Sequence, residues 1–175
     1  MSHTTKVVLR FWLPPAVLLV LIAVQSTDTM SAQHTAIWLA WLLRQLGEIV
    51  PVEQLNWINF AFRKSGHVIG YAMLSALFFR AQRGTWREVR NISWPEFVIS
   101  WRPSWATASV FFAFIVATAD EMHQKTLASR GGSWHDVLLD STAAIVAQAL
   151  IWLFLKLRSP REHKLFLHVR TYEHR

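Results

Sequence analysis

The sequence predicts an all-α integral membrane protein with four transmembrane helices and an interfacial helical segment between the first and second spans. Three observations carry this. The 175 residues are 53% hydrophobic and only 17% charged, with a mean hydropathy of +0.24, whereas soluble domains average about 45–50% apolar and about 25% charged residues. Four stretches, residues 11–27, 65–79, 103–119 and 137–155, are apolar over nearly the length needed to cross a bilayer, which for a helix is about 17–25 residues. Ten Trp and eleven Phe accompany only two Tyr, and indole rings collect at membrane–water interfaces. Such hydrophobicity excludes a disordered chain. The absence of Cys excludes a disulfide framework, thiol catalysis and thiolate metal sites. A single domain, residues 1–175, accounts for the length.

The first span, 11–27, carries no formal charge and follows Lys6 and Arg10. Pro14 and Pro15 fall near its start, where a missing backbone N–H costs least. Lys6 and Arg10 also suit the basic region of a signal peptide, but no small-residue cleavage site follows, so the span reads as an anchor. Residues 36–43 are apolar but too short to cross; Trp38, Trp41, Arg44, Gln45 and Glu48 recur there at helical spacing, as in a helix lying in the interface. Residues 57–62 have the same character. The second span, 65–79, holds His67. The third, 103–119, is charge-free, preceded by Trp101 and Arg102, with Trp105 just inside. Its residues 110–116 lack the polar face that a helix of a soluble bundle would present. The fourth, 137–155, contains one charge, Asp140, and ends at Lys156 and Arg158 before a basic tail, 156–175.

The net charge of +7 is unevenly spread. With the N-terminus inside, Arg44, Arg63, Lys64, Lys125 and Arg130 fall outside, and the other 13 of the 18 Lys and Arg residues fall inside. Cytoplasmic loops carry this excess in membrane proteins, so both termini are expected in the cytoplasm and the chain in the cytoplasmic (inner) membrane. The basic loop and tail suit anionic inner-leaflet lipid, with no nucleic acid required.

The informative polar residues gather at the outer ends of the spans. Arg63, Lys64 and His67 open the second span with Tyr71 one turn deeper; Lys64, His67 and Tyr71 share a helical face. Asp120, Glu121, His123 and Gln124 close the third. Ser129, Arg130, Gly131, Gly132 and Ser133 follow, and Asp136 with Asp140, one turn further, opens the fourth. A carboxylate inside a span costs about 2.5–3.5 kcal/mol at the centre, so such residues are functional candidates with a partner to be found. For Asp140 the candidate partners are Lys64, His67 and Arg130. The same residues also read as a buried ion-pair network that sets helix packing.

Taken together these residues resemble the VanZ-like family. Arg63, Lys64, His67 and Tyr71 match its Arg-Lys-x-x-His-x-x-x-Tyr motif. Asp120, Glu121 and Gln124, then Arg130, Asp136 and Asp140, match its second motif. The resemblance spans about residues 11–155. It departs at Gly70, where the family often has Glu before the motif Tyr, and at Ala143 and Ala147, where small glycines are usual. The founding member is associated with teicoplanin resistance.

The cluster supports several functions. As an enzyme on a phosphate-bearing or lipid-linked envelope substrate, Lys64, Arg130 and Arg63 would hold the anion, with Tyr71, Gln124 and Ser133 beside it. His67 or His123 would act as general acid or base, oriented by Asp120, Glu121, Asp136 or Asp140. A divalent metal is a further option, with His123, Glu121, Asp136 and Asp140 as N and O donors, although no His-x-x-x-His pair fixes two ligands on one helix. A non-enzymatic protein binding membrane lipid or a glycopeptide would use the same residues. A transporter is disfavoured, because the polar residues occupy one end only.

Overall fold

A computed structural model describes residues 2–92, 100–128 and 131–173, with side chains through 158. The described residues form five α-helical elements and a short 3-10 turn, Asp28–Met30, and contain no strand. Helix α1, His3–Gln25, has a π-helical turn at Val8–Trp12. Pro14 lacks the N–H that would bond the Arg10 carbonyl, and that carbonyl instead accepts from Arg80 Nη1 at 3.2 Å. Helix α2, Ala32–Gln45, ends on Gly47 at φ +83, with Gly47 N donating to Arg44 O and Glu48 N to Leu43 O. This left-handed cap favours glycine and closes the helix. Helix α3, Val52–Arg90, runs 39 residues and stops at Asn91, also left-handed. Helix α4, Pro103–Gln124, starts on Pro, which is pre-set for a first turn. Helix α5 runs Trp134–Glu173 and continues unbroken from the apolar part into the basic segment as far as Glu173.

Among the described residues three helices, not four, are long and apolar enough to cross a membrane: α1, α4, and α5 over Trp134–Arg158. The expected second span lies within α3 but falls short, because its apolar stretch is only 65–79 and charges bound it at Arg63, Lys64, Arg80 and Arg83. Residues 57–62 likewise form the opening turns of α3, not a separate interfacial helix, while α2 is a distinct helix as expected.

Side-chain pairs give the helix directions. Trp12, near the middle of α1, bonds Thr85, and Gln25 at its C-terminal end lies against Gly66, so α1 and α3 are antiparallel. Gln82 bonds Trp105 O and Ser109, and Phe78 stacks on Phe112, which sets α4 against α3 in the same way. Lys64 pairs with Asp136, His67 with Asp140 and Ser75 with Gln148, an almost constant offset that makes α3 and α5 parallel. The result is an up-down-up-down bundle around Ile22, Tyr71, Leu74, Ala113, Ala117, Val137 and Ala144. The alanines let helices approach closely, as small residues do where lipid replaces water. At Gly84 a Cβ would lie 2.3 Å from the Phe11 ring, so α1 crosses α3 there. Val20, Leu21, Phe111, Ile115, Leu138, Ile145, Val146 and Leu150 point outward and exposed. An apolar exterior of this extent is unusual for a soluble monomer and fits a membrane protein.

Candidate functional site

The polar residues meet at the end of the bundle where α4 stops and α5 begins. On α3, one face presents Lys64, His67 and Tyr71. On α5, Asp136 and Asp140 stand one turn apart, matching that face rung for rung. Lys64 Nζ forms an ion pair with Asp136 Oδ1, and His67 Nδ1 meets Asp140 Oδ2 at 3.2 Å. Asp136 also sits in the first turn of α5, where the helix dipole favours a negative charge. Asp140 is fully buried, and its second oxygen has no hydrogen-bond partner among the described residues. His67 stacks over Tyr71 with ring centroids 6.2 Å apart. The buried Tyr71 hydroxyl faces the Asp120, Asp140 and Glu121 carboxylates without a hydrogen bond of good geometry.

The end of α4 supplies the other wall. Gln124 Nε2 donates to Asp120 Oδ2 at 3.0 Å, and both residues are buried. Glu121 Oε2 accepts the Ser133 backbone N–H at 2.6 Å, tying α4 to the segment that enters α5. Gly132 makes that contact possible: a Cβ there would lie 2.2 Å from the Glu121 carbonyl oxygen. Ser133 thus acts through its backbone, while its hydroxyl accepts from His135 N at 3.2 Å.

A cavity of about 580 Å³ opens on this cluster, lined by Arg63, Lys64, His67, Gln124, Gly131 and Asp136, with Asn56, Asn59 and Phe60 and the Ala32, Gln33 and Ala36 face of α2. Asn59 Nδ2 donates to the Ala32 carbonyl at 2.8 Å and holds α2 against α3. Among potential metal donors, His67, Asp120 and Glu121 each offer one ligand atom, all within 4.8 Å of one another.

Of the residues expected from sequence, Lys64, His67, Tyr71, Asp120, Glu121, Gln124, Asp136 and Asp140 therefore gather at one end of the bundle, with Arg63 on the cavity wall. His123 does not join them: it is exposed and lines a separate cavity of about 400 Å³ with Asp120, Ile22 and Val116. Of the expected metal donors His123, Glu121, Asp136 and Asp140, only Glu121 belongs to the compact group, because Asp136 is taken by Lys64 and Asp140 by His67. Arg130 lies outside the described residues. Sequence reasoning missed Asn56, Asn59 and Gln33; isolated amides in an aromatic, apolar segment were the available signal.

The family model described as VanZ/LLP1 matches residues 11–155. The chain belongs to the VanZ/LLP1 family. That match takes in α1 to α4 almost whole and α5 to the end of its apolar part, so every residue of the polar cluster lies within the VanZ/LLP1 region. No curated protein and no solved structure matches the chain. At Gly70, where the VanZ-like motif often carries Glu, a Cβ would meet nothing within 4 Å. A side chain is therefore sterically admissible beside Tyr71, and its absence here is a chemical difference rather than a packing requirement.

Proposed function

We propose that this VanZ/LLP1 protein crosses the cytoplasmic membrane four times with both termini inside, and that its outward cluster binds the anionic group of an envelope lipid or lipid-linked substrate and acts on it as a hydrolase or transferase. The crossing of α3 is supported by its position beside three apolar helices, in alternating direction with α1 and α4. The observation that carries the functional reading is the cavity of about 580 Å³, which sets two cations, Arg63 and Lys64, beside a His held by a carboxylate.

Arg63 has the planar fork suited to a phosphate, and Lys64, although paired with Asp136, keeps further N–H donors. Arg130 of the second motif is proposed as a further cation for the same anion. Asp140 fixes the His67 ring, so that the other ring nitrogen is available to take a proton from an attacking hydroxyl or water and return it to the leaving oxygen. The exposed Trp38 and Trp41 of α2 offer an apolar edge for acyl chains.

Native mass spectrometry of the protein in nanodiscs containing phosphatidic acid or a polyprenyl phosphate tests this. Arg63→Ala and Lys64→Ala are expected to lose the bound anionic lipid. His67→Ala is expected to keep the lipid and lose turnover. A wild-type protein without bound lipid, whose variants lose only thermal stability, would reduce the cluster to a packing network.

A further inference from the structure

We propose that His67, Asp120 and Glu121 form a binding site for a divalent cation of the zinc or manganese class, with Asp140 as the positioning residue behind His67. This rests on the proposed function only in that the cluster is a site; it requires no particular substrate, and with the cation on Nε2 His67 serves as a ligand in place of the proton-carrying role. Metal–ligand bonds of about 2.0–2.2 Å place donors at most about 4.4 Å apart, and the three ligand atoms lie within 4.8 Å of one another, so small side-chain rotations close the shell. The donor set, one imidazole and two carboxylates, suits these cations.

Two independent features point to a ligand. The first is the arrangement around His67. Asp140 Oδ2 engages Nδ1 at 3.2 Å, which leaves Nε2 to bind metal and fixes the tautomer, the usual carboxylate–histidine–metal relay. The second is a buried oxygen with no partner among the described residues. Glu121 is 3% exposed, with Oε2 on the Ser133 N–H and Oε1 bonded to nothing. Tyr71 is 2% exposed, with its hydroxyl turned to the same carboxylates. Buried polar atoms in native proteins are almost always satisfied, and a cation between Glu121 Oε1, Asp120 and His67 would satisfy the carboxylates.

The full chain is purified, stripped with chelator, and titrated with Zn²⁺ and with Mn²⁺, reading bound metal by elemental analysis and the melting temperature. One equivalent of metal and a rise in melting temperature on reloading are expected. Glu121→Gln and Asp120→Asn should lose stoichiometric metal, Asp140→Asn should weaken affinity by about 10–100-fold, and His123→Ala, outside the group, should retain it. Absence of stoichiometric binding with no metal-dependent melting shift in the wild type overturns the inference, whether or not the variants fold. Equal loss in His123→Ala also overturns it, since the ion would then sit elsewhere. Anionic lipid bound by a protein that takes no metal overturns this inference and leaves the lipid reading standing. Metal without lipid supports the inference and removes the lipid reading.

Discussion

Replacing Gly132 by Ala tests how the site is held together. The added Cβ would stand 2.2 Å from the Glu121 carbonyl oxygen and 3.1 Å from its carbonyl carbon, both backbone atoms of a rigid helix end. A carbon–oxygen contact needs about 3.3 Å, so the segment entering α5 must retreat by about 1 Å. That movement stretches the 2.6 Å bond from Ser133 N to Glu121 Oε2 past hydrogen-bonding range. Glu121, whose Oε1 is already without a partner, would then be a buried carboxylate bonded at neither oxygen. Loss of a hydrogen bond to a charged group costs about 1.5–3 kcal/mol, which for a chain of this size is a fall in melting temperature of about 3–12 °C. Gly131→Ala is the matched control, because a Cβ there meets nothing within 4 Å. Thermal unfolding of both variants in the same detergent, followed by circular dichroism, gives the comparison. If Gly132→Ala melts together with Gly131→Ala, the tie between α4 and α5 is not what holds this end of the bundle.

Three further outcomes are expected. Gln148→Leu removes the donor to Ser75 O and Ser75 Oγ between α5 and α3, and interhelical bonds in membrane bundles contribute about 0.6–1.7 kcal/mol, so the same melting assay should register a loss of a few degrees; no change would mean that water replaces the amide. Gly70→Ala should stabilise by about 0.5–1 kcal/mol, the usual gain at a helix interior, since its Cβ enters open space; destabilisation would show that the space is occupied. The chain has no Cys, so single cysteines introduced at the exposed Gln45 and Arg90, on either side of α3, should label from opposite faces of the membrane with an impermeant thiol reagent. Labelling from one face would refute a crossing by α3.

Much of the cluster was legible because helical spacing is a local property. Lys64, His67 and Tyr71 must share a face once 65–79 is helical, and Asp136 must lie one turn from Asp140. The pairing between the faces was not legible: sequence left Asp140 a choice among Lys64, His67 and Arg130, and the parallel packing of α3 on α5 selects His67. His123 illustrates the reverse error. Its place two residues after Glu121 looks like membership of the cluster, but on a helix two residues is about 200°, which turns it to the exposed side. The polar ties Ser75–Gln148 and Gln82–Ser109 carried no signal, since a lone amide in an apolar helix does not reveal which neighbour it will meet.

The sequence alone determined the all-helical class, three of the apolar helices, the separate helix α2 and the residue types gathered at one end, because hydrophobic length and 3.6-residue periodicity depend on nothing beyond the segment itself. It also carried the family motifs. Tertiary structure decided that α3 is one 39-residue helix through what read as two elements, which carboxylate meets which cation, and which donors form a compact group. Those outcomes depend on how deeply neighbouring helices interlock, and that depth is set by small residues such as Ala113, Ala117, Ala144, Gly84 and Gly132.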